Sequence, residues 1–267
     1  MIARRLLAGL LDLVFPPRCV SCHSPGEWLC PSCLALVERI RPPICPFCGE
    51  GTGQGKRACP RRHHHPHSLD GLRSAAWYAG PLRTAIHHHK YRGLQALADP
   101  LSAILIEAWH QWSVPAELLL PVPLHPRRLR ERGFNQATVL AQRLGQACGI
   151  AVDATSLQRT RHTHPQVGLS AQERLANVEN AFAYHGPSLQ GRAVCLIDDI
   201  CTTGATLQAC APPLRQAGAC SVWAVTLARP RWAAGPPPGT DTRQIAVDIC
   251  VESRYNGTRP PDRKQHS

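Results

Sequence analysis

Two neighbouring carboxylates, Asp198 and Asp199, close the continuously apolar run Ala193-Val-Cys-Leu-Ile and are followed by Ile200-Cys-Thr202-Thr203-Gly204-Ala205-Thr206-Leu207. These types in this order describe a site for a phosphorylated sugar. An unbroken apolar run is the pattern of a parallel strand covered on both faces, and a strand feeding a helix opens its ligand crevice at its carboxyl end. The two acids fall at that end, where they repel each other unless hydroxyls or a cation compensate; a ribose diol with a divalent metal offers both. The hydroxyls of Thr202, Thr203 and Thr206 and the backbone of Gly204 and Ala205 lie where the next helix presents its positive end, which suits a monophosphate. No Gly-Lys-Ser/Thr follows, as a Walker A loop would require, and the motif is not the GxGxxG of dinucleotide sites. A plainer reading makes the acids a strand-end turn and cap, with Gly204 serving only the bend.

The second group with chemistry in it is cysteine. Cys19-x2-Cys22, Cys30-x2-Cys33 and Cys45-x2-Cys48 precede a lone Cys59, so that seven of the 13 cysteines stand before residue 60. Paired CxxC knuckles have the spacing of zinc ligands. The segment has too few large apolar residues for a core of its own, and structural zinc supplies small folds with about 10–16 kcal/mol. A disulfide framework is disfavoured, because no export signal precedes the cysteines and cytosolic thiols stay reduced. The first two pairs could close one tetrahedral site, leaving Cys45, Cys48 and Cys59 short of a fourth ligand; equally, Cys19 and Cys22 could share a metal with Cys45 and Cys48. Position 62, where a further CxxC cysteine would fall, holds arginine, and His63, His64, His65 and His67 follow as candidate ligands.

At 267 residues there is room for one core domain and a small module, expected as an N-terminal amphipathic helix (1–18), a zinc-ribbon-like segment (19–68), a core domain (69–230) and a linker with a polar tail (231–267). The 30 Lys and Arg outnumber the 18 Asp and Glu, giving +12 and a pI near 9.4, a surplus that favours polyanions. Apolar stretches fall far short of the roughly 20 residues of a membrane span. The opening segment has a basic start, but Asp12 and Pro16-Pro17 interrupt it and no small-residue cleavage site follows, so the expected compartment is the cytoplasm.

Around these groups the pattern predicts a strand over Leu72 to Tyr78, helices over Leu82 to Tyr91 and Leu97 to Trp109, a buried strand within Glu117 to Leu124, a helix over Ala137 to Gly149 and a strand over Ile150 to Leu157. His87, His88 and His89 lie on the first helix; adjacent helical positions point about 100° apart and cannot converge on one ion, so a solvated, partly basic helix is expected. After the second strand comes His125-Pro-Arg127-Arg128-Leu-Arg130-Glu131-Arg132-Gly133, an arginine-rich loop beside a strand end. Guanidinium forks match phosphate oxygens, which makes Arg127, Arg128 and Arg132 candidates for a pyrophosphate cradle. Past Ala228 the chain reads as linker, with one edge strand over Ile245 to Val251. Cys148, Cys195, Cys201, Cys210, Cys220 and Cys250 lack pair spacing and read as small packing residues.

The acid pair with its Thr-Thr-Gly-x-Thr loop closely resembles the 5-phosphoribosyl-1-pyrophosphate (PRPP) signature of type I phosphoribosyltransferases. With the CxxC pairs, Lys90-Tyr91-x-Gly93, Pro121-Val-Pro-Leu, Arg132-Gly-Phe-Asn135-Gln136, and Arg159-Thr-Arg161 through Gln166, Leu169-Ser170, Arg174 and Asn177, the chain is identified as a member of the ComF/GntX family over about residues 19 to 229. The resemblance implies an α/β fold, a type I phosphoribosyltransferase-like parallel sheet flanked by helices with a small zinc-ribbon module. It further implies PRPP with Mg²⁺ as ligand, Asp198 and Asp199 holding the ribose hydroxyls, and Thr202, Thr203, Gly204, Ala205 and Thr206 holding the 5′-phosphate. Arg159 to Asn177 would be the segment that closes over the site, or an ordinary loop leading into a helix capped at Ser170. The family's link to transformation implies single-stranded DNA and the DNA-uptake machinery as partners, or else transferase activity on an unidentified nitrogenous acceptor, or PRPP sensing. With four Phe and four Tyr, aromatic platforms are sparse apart from Trp77, Trp109, Trp112 and Trp223, so DNA affinity is expected to be largely electrostatic.

Overall fold

The apolar run before the acid pair is the middle strand of a five-stranded, all-parallel sheet in the computed structural model, which describes residues 16–51, 68–161 and 180–231. The strands are β1 (Gly71–Trp77), β2 (Leu118–Pro121), β3 (Ala151–Val152), β6 (Ala193–Ile200) and β7 (Ser221–Arg229), in the order β1-β7-β6-β2-β3. Side chains alternate across β6 and feed two cores. Val194 and Leu196 join Leu118, Leu120, Val222 and Ala224 on one face, whereas Cys195 and Ile197 join Leu119, Val225 and Leu227 on the other. After the short helix α1 (Pro31–Ala35) of the cysteine segment, the helices α2 (Gly80–Tyr91), α3 (Ala98–Trp109) and α5 (Gln136–Cys148) contribute to the second core, and α6 (Ala205–Gln216) covers the first.

The chain runs outward from β6 to β7 on one side and from β2 to β3 on the other. The strand order therefore reverses between β6 and β2, and open parallel sheets bind ligands at that reversal, beyond the carboxyl ends of the strands. Ile197 of β6 pairs there with Pro121 of β2, immediately before the two acids.

Three sequence expectations are corrected. Ile150 to Leu157 is not one strand: Asp153 accepts from the backbone N–H groups of Thr155 and Ser156, each at 3.0 Å, and this turn ends β3 and redirects the chain. It then forms β4 (Leu157–Arg159), which leaves the sheet to pair antiparallel with β5 (Phe182–Tyr184). The arginine-rich loop is a helix, α4 (Pro126–Arg132), with Pro126 at its first position, the His125 side chain accepting from Arg127 N–H, and Gly133 ending it in the left-handed conformation. Arg229 is not linker: it completes β7 with no exposed surface.

The cysteine segment docks on the sheet and shares its core. Cys19, Cys30, Cys33, Val20, Leu29 and Val37 pack with the residues of α2 and α3, so the few apolar residues of the segment find their partners in the main body. Residues 38–40 run antiparallel to edge strand β1, with Trp77 N–H donating to Glu38 O and Ala75 O accepting from Ile40 N–H, both at 2.9 Å. This pairing covers an edge that would otherwise expose its ladder. The first part of the expected N-terminal helix, Cys59 and the nearby histidines, most of the Arg159–Asn177 segment, and Ile245 to Val251 lie outside the described residues.

Candidate functional site

Because successive side chains of a strand point to opposite faces, the two acids part company at the end of β6. Asp199 follows Cys195 and Ile197 toward the face of α2, and its Oδ2 lies 2.7 Å from Lys90 Nζ. Asp198 follows Val194 and Leu196 toward the face of α6 and β4, within electrostatic range of Arg159 and the buried Cys210. Burial, then the negative charge of Asp199, push the Asp198 carboxyl up to about 7. Asp199 is buried at 7% exposure and Asp198 is half-buried, so the second acid is locked and the first faces the crevice.

The hydroxyl loop follows directly. Thr202 and Thr203 are half-buried, Thr203 Oγ1 accepts from Ala205 N–H at 3.3 Å, and Gly204 caps α6 with φ +82°. That φ is a conformation other side chains rarely adopt, which accounts for glycine between Thr203 and Ala205. The helix start supplies N–H groups with no intrahelical acceptor. The structure thus brings Asp198, Asp199 and residues 202 to 206 together at one strand end.

The arginines divide. Arg127 and Arg128 bind Glu131 of their own exposed helix, at 3.1 and 3.5 Å. Arg132 instead donates to Gln136 Oε1 at 2.8 Å and lies 5.3 Å above the Tyr91 ring. The predicted cradle is therefore not one loop of three equivalent guanidiniums.

Sequence reasoning missed two residues here. His89, expected on a solvated helix, is buried at 3% exposure, its Nδ1 3.1 Å from Leu94 O and its ring against Phe134. A carbonyl only accepts, so Nδ1 carries the proton; burial pulls the imidazole below its usual pKa, and Nε2 has no hydrogen-bond partner among the described residues. Lys90 was noted only within a motif. The available signal was helical periodicity: of three consecutive histidines on an amphipathic helix, one must face inward, and Lys90 then points toward the sheet ends.

Four thiols form a second site. The Sγ atoms of Cys19, Cys22, Cys30 and Cys33 all lie within 4.8 Å of one another, which selects the first-two-pairs arrangement over the interleaved one. That spacing and the all-thiol donor set fit a tetrahedral zinc ion. The thiols also conflict as they stand. For Cys19, backbone N–H donors of Cys22, Cys30 and Ser21 outweigh burial and bring it down to about 6, while burial and the neighbouring thiols push Cys33 up to about 12. A bound cation resolves that conflict.

Cys45 and Cys48 repeat the backbone of the first knuckle. His23 N–H donates to Cys19 O at 2.8 Å with His23 at φ +65°; Gly49 N–H donates to Cys45 O at 3.0 Å with Gly49 at φ +65°. A Cβ on Gly49 would lie 2.5 Å from Leu72 O, so only glycine lets this knuckle sit against β1. Beneath it the buried Arg229 pairs with the buried Glu50 at 3.0 Å and donates to Cys48 O. Cys59, the third expected ligand here, is outside the described residues.

Comparison with known proteins agrees with both halves of this geometry. A double zinc ribbon domain matches residues 10–62 and a phosphoribosyl transferase domain matches residues 129–253. The DNA utilization protein YhgH of Escherichia coli K12 is 33% identical over 225 residues, spanning 81% of this chain and 99% of that protein. Competence protein F of Haemophilus influenzae is 31% identical over 79% of this chain and 96% of its own, and competence protein ComFC of Bacillus subtilis is 31% identical over 77% and 85%. The chain belongs to the ComF family. In this member of the ComF family the parallel sheet is phosphoribosyltransferase-like, and the four-cysteine cluster is its structural zinc site.

Of the cysteines outside the CxxC spacing, Cys195, Cys201 and Cys210 are buried as expected, and Cys148 is half-buried. Cys220 is exposed, contrary to expectation, because it sits in the turn entering β7, where its Sγ donates to Gly191 O at 3.1 Å.

Proposed function

We propose that this chain binds PRPP at the carboxyl end of β6 and works on incoming single-stranded DNA in the cytoplasm. The observation that carries the reading is the placement of Asp198, Asp199 and the 202 to 206 loop at the strand-order reversal, where a sugar diol and a monophosphate find opposite chemistry within one turn of chain. In this reading Asp198 and Asp199 bind the ribose hydroxyls. Thr202, Thr203, Gly204, Ala205 and Thr206 bind the 5′-phosphate through hydroxyls and helix-end N–H groups. Arg132, turned toward Tyr91 at the end of α2, is the best placed of the three arginines for pyrophosphate; Arg127 and Arg128 would have to leave Glu131. Magnesium would accompany the pyrophosphate, whose oxygens suit it.

The names of the relatives, a DNA utilization protein and two competence proteins, support a role in DNA uptake. The positive surplus suits a polyanion, and no helix among the described residues is long and apolar enough to cross a membrane. Base stacking contributes little in this reading. Trp109 is buried, Trp77 is covered by Arg231 at 4.8 Å and Trp223 by Arg73 at 5.0 Å, so affinity for DNA rests on charge and falls steeply with salt.

Calorimetric titration of PRPP and Mg²⁺ into zinc-loaded protein tests the ligand. Binding by the parent and its loss in the folded Asp198→Asn, Asp199→Asn double variant is expected. Equal binding by both would place the ligand elsewhere.

A further inference from the structure

The end of α2 is built to deliver one ammonium group to the acid pair. His89 anchors the last turn by its bond to Leu94 O and its contact with Phe134, and Gly93, at φ +62°, turns the chain away just beyond. Lys90 then reaches Asp199 with its side chain 16% exposed and that of Asp199 10% exposed, so this is not a solvated surface pair. Burial disfavours a charge on His89, which does not share the role. Arg132 is engaged with Gln136 and Tyr91, and Arg159 acts on Asp198 from the opposite face. Among the described residues Lys90 is therefore the cation paired with the locked acid.

We propose that Lys90 is the resident counter-ion of the acid pair, so that the ribose 5-phosphate part of the ligand docks without a divalent metal and magnesium serves only the pyrophosphate. The inference rests on the phosphoribosyl reading of the site. Its physical basis is occupancy. Two carboxylates at one strand end need a positive charge, and a divalent ion would ordinarily take their oxygens. Here Oδ2 of Asp199 already holds an ammonium at 2.7 Å, and a metal arriving at the same oxygen would meet a like charge at contact distance. A lysine also suits the task better than an arginine would. Its head is a compact charge with three donors, one directed at Asp199 and the others available to hydroxyls of a bound sugar. Lys90 is a positioning residue in this account; it fixes the charge and orientation of Asp199.

The test is calorimetry with ribose 5-phosphate, which lacks the pyrophosphate, into the full zinc-loaded chain. Magnesium is removed by pre-treating the buffer with resin, because a chelator in solution would attack the cysteine cluster. The parent should bind within about threefold equally with and without magnesium. Lys90→Met should bind about 30-fold more weakly without magnesium and recover when it is added, whereas Lys90→Arg, which keeps the charge, should stay within about tenfold of the parent in both buffers. A residue that merely staples α2 to β6 would change the melting temperature without making binding conditional on metal. Binding by the parent only when magnesium is present would overturn the proposal, and that arm decides the matter even if the methionine variant does not fold. No binding by the parent in either buffer would instead overturn the phosphoribosyl reading beneath it.

Discussion

The cysteine cluster and the acid pair hold like groups together by opposite means. Four thiols lie within 4.8 Å of one another, and among the described residues no cation acts on Cys19, Cys22 or Cys33, so the charge that reconciles them is that of a bound metal. Two carboxylates at the end of β6 have that charge supplied by Lys90 at 2.7 Å. One site depends on metal for its architecture, and the other is assembled in advance. The difference follows from where the segments sit: the knuckles bring almost no core of their own, whereas β6 is the middle of the sheet and is covered on both faces.

Zinc removal should therefore be the harshest perturbation of this molecule. Cys19, Cys30 and Cys33 belong to the same core as α2 and α3, so their repulsion would not stay local. Zinc in small fingers is worth about 10–16 kcal/mol, a sum comparable with the whole stability of a typical domain. Stripping it with a strong chelator should abolish the cooperative thermal transition and the near-ultraviolet dichroism together. If a cooperative transition survives with its midpoint lowered by only a few degrees, the cluster is an accessory and the contrast with the acid pair collapses.

A smaller effect asks whether the second knuckle belongs with the first or with the sheet. Cys45 and Cys48 sit over Arg229 and Glu50, exposed 0% and 3% at their side chains, and Arg229 donates to Cys48 O. Removing one partner of a buried pair leaves the other charge uncompensated and costs about 3–5 kcal/mol. Arg229→Met should lower stability by that amount in urea unfolding at saturating zinc, and Arg229→Met with Glu50→Gln should recover part of it. A loss under about 1 kcal/mol would mean that the knuckle, not the ion pair, secures this edge.

How far each feature was legible follows from the sequence distance between its parts. The first zinc cluster is local, and spacing named its ligands; only the choice between two groupings needed coordinates. The strand β6 and its acids were legible because nothing interrupts the apolar run before Asp198. Helix α4 carried its own signals, Pro126 at the start and Gly133 just past the end, but the density of arginine suggested a loop. Lys90 with Asp199, and Glu50 with Arg229, join segments far apart in the chain, and no local pattern announces such a pair. Buried charges of this kind also break the apolar periodicity that marks an element, which is why Arg229 reads as linker in the sequence.

The smallest effect separates the two acids themselves. Burial and Asp199 raise the Asp198 carboxyl to about 7, whereas an unfolded chain leaves it near 3.8. A raised carboxyl means that the native state binds the proton more tightly than the unfolded state, so its contribution to stability is greatest at low pH and is lost as pH rises through the window between those values. One such group can contribute a slope of at most about 1.4 kcal/mol per pH unit, and partial exposure of Asp198 reduces this. Asparagine at this position does not titrate. The parent minus Asp198→Asn difference in unfolding free energy, measured at saturating zinc between about pH 5 and pH 7, should fall as pH rises, and cysteine protonation cancels because both proteins carry it. A flat difference would mean that burial and Asp199 do not raise Asp198 in the folded chain; a rising one would mean that Asp198 is held ionised, and the two carboxylates would no longer differ.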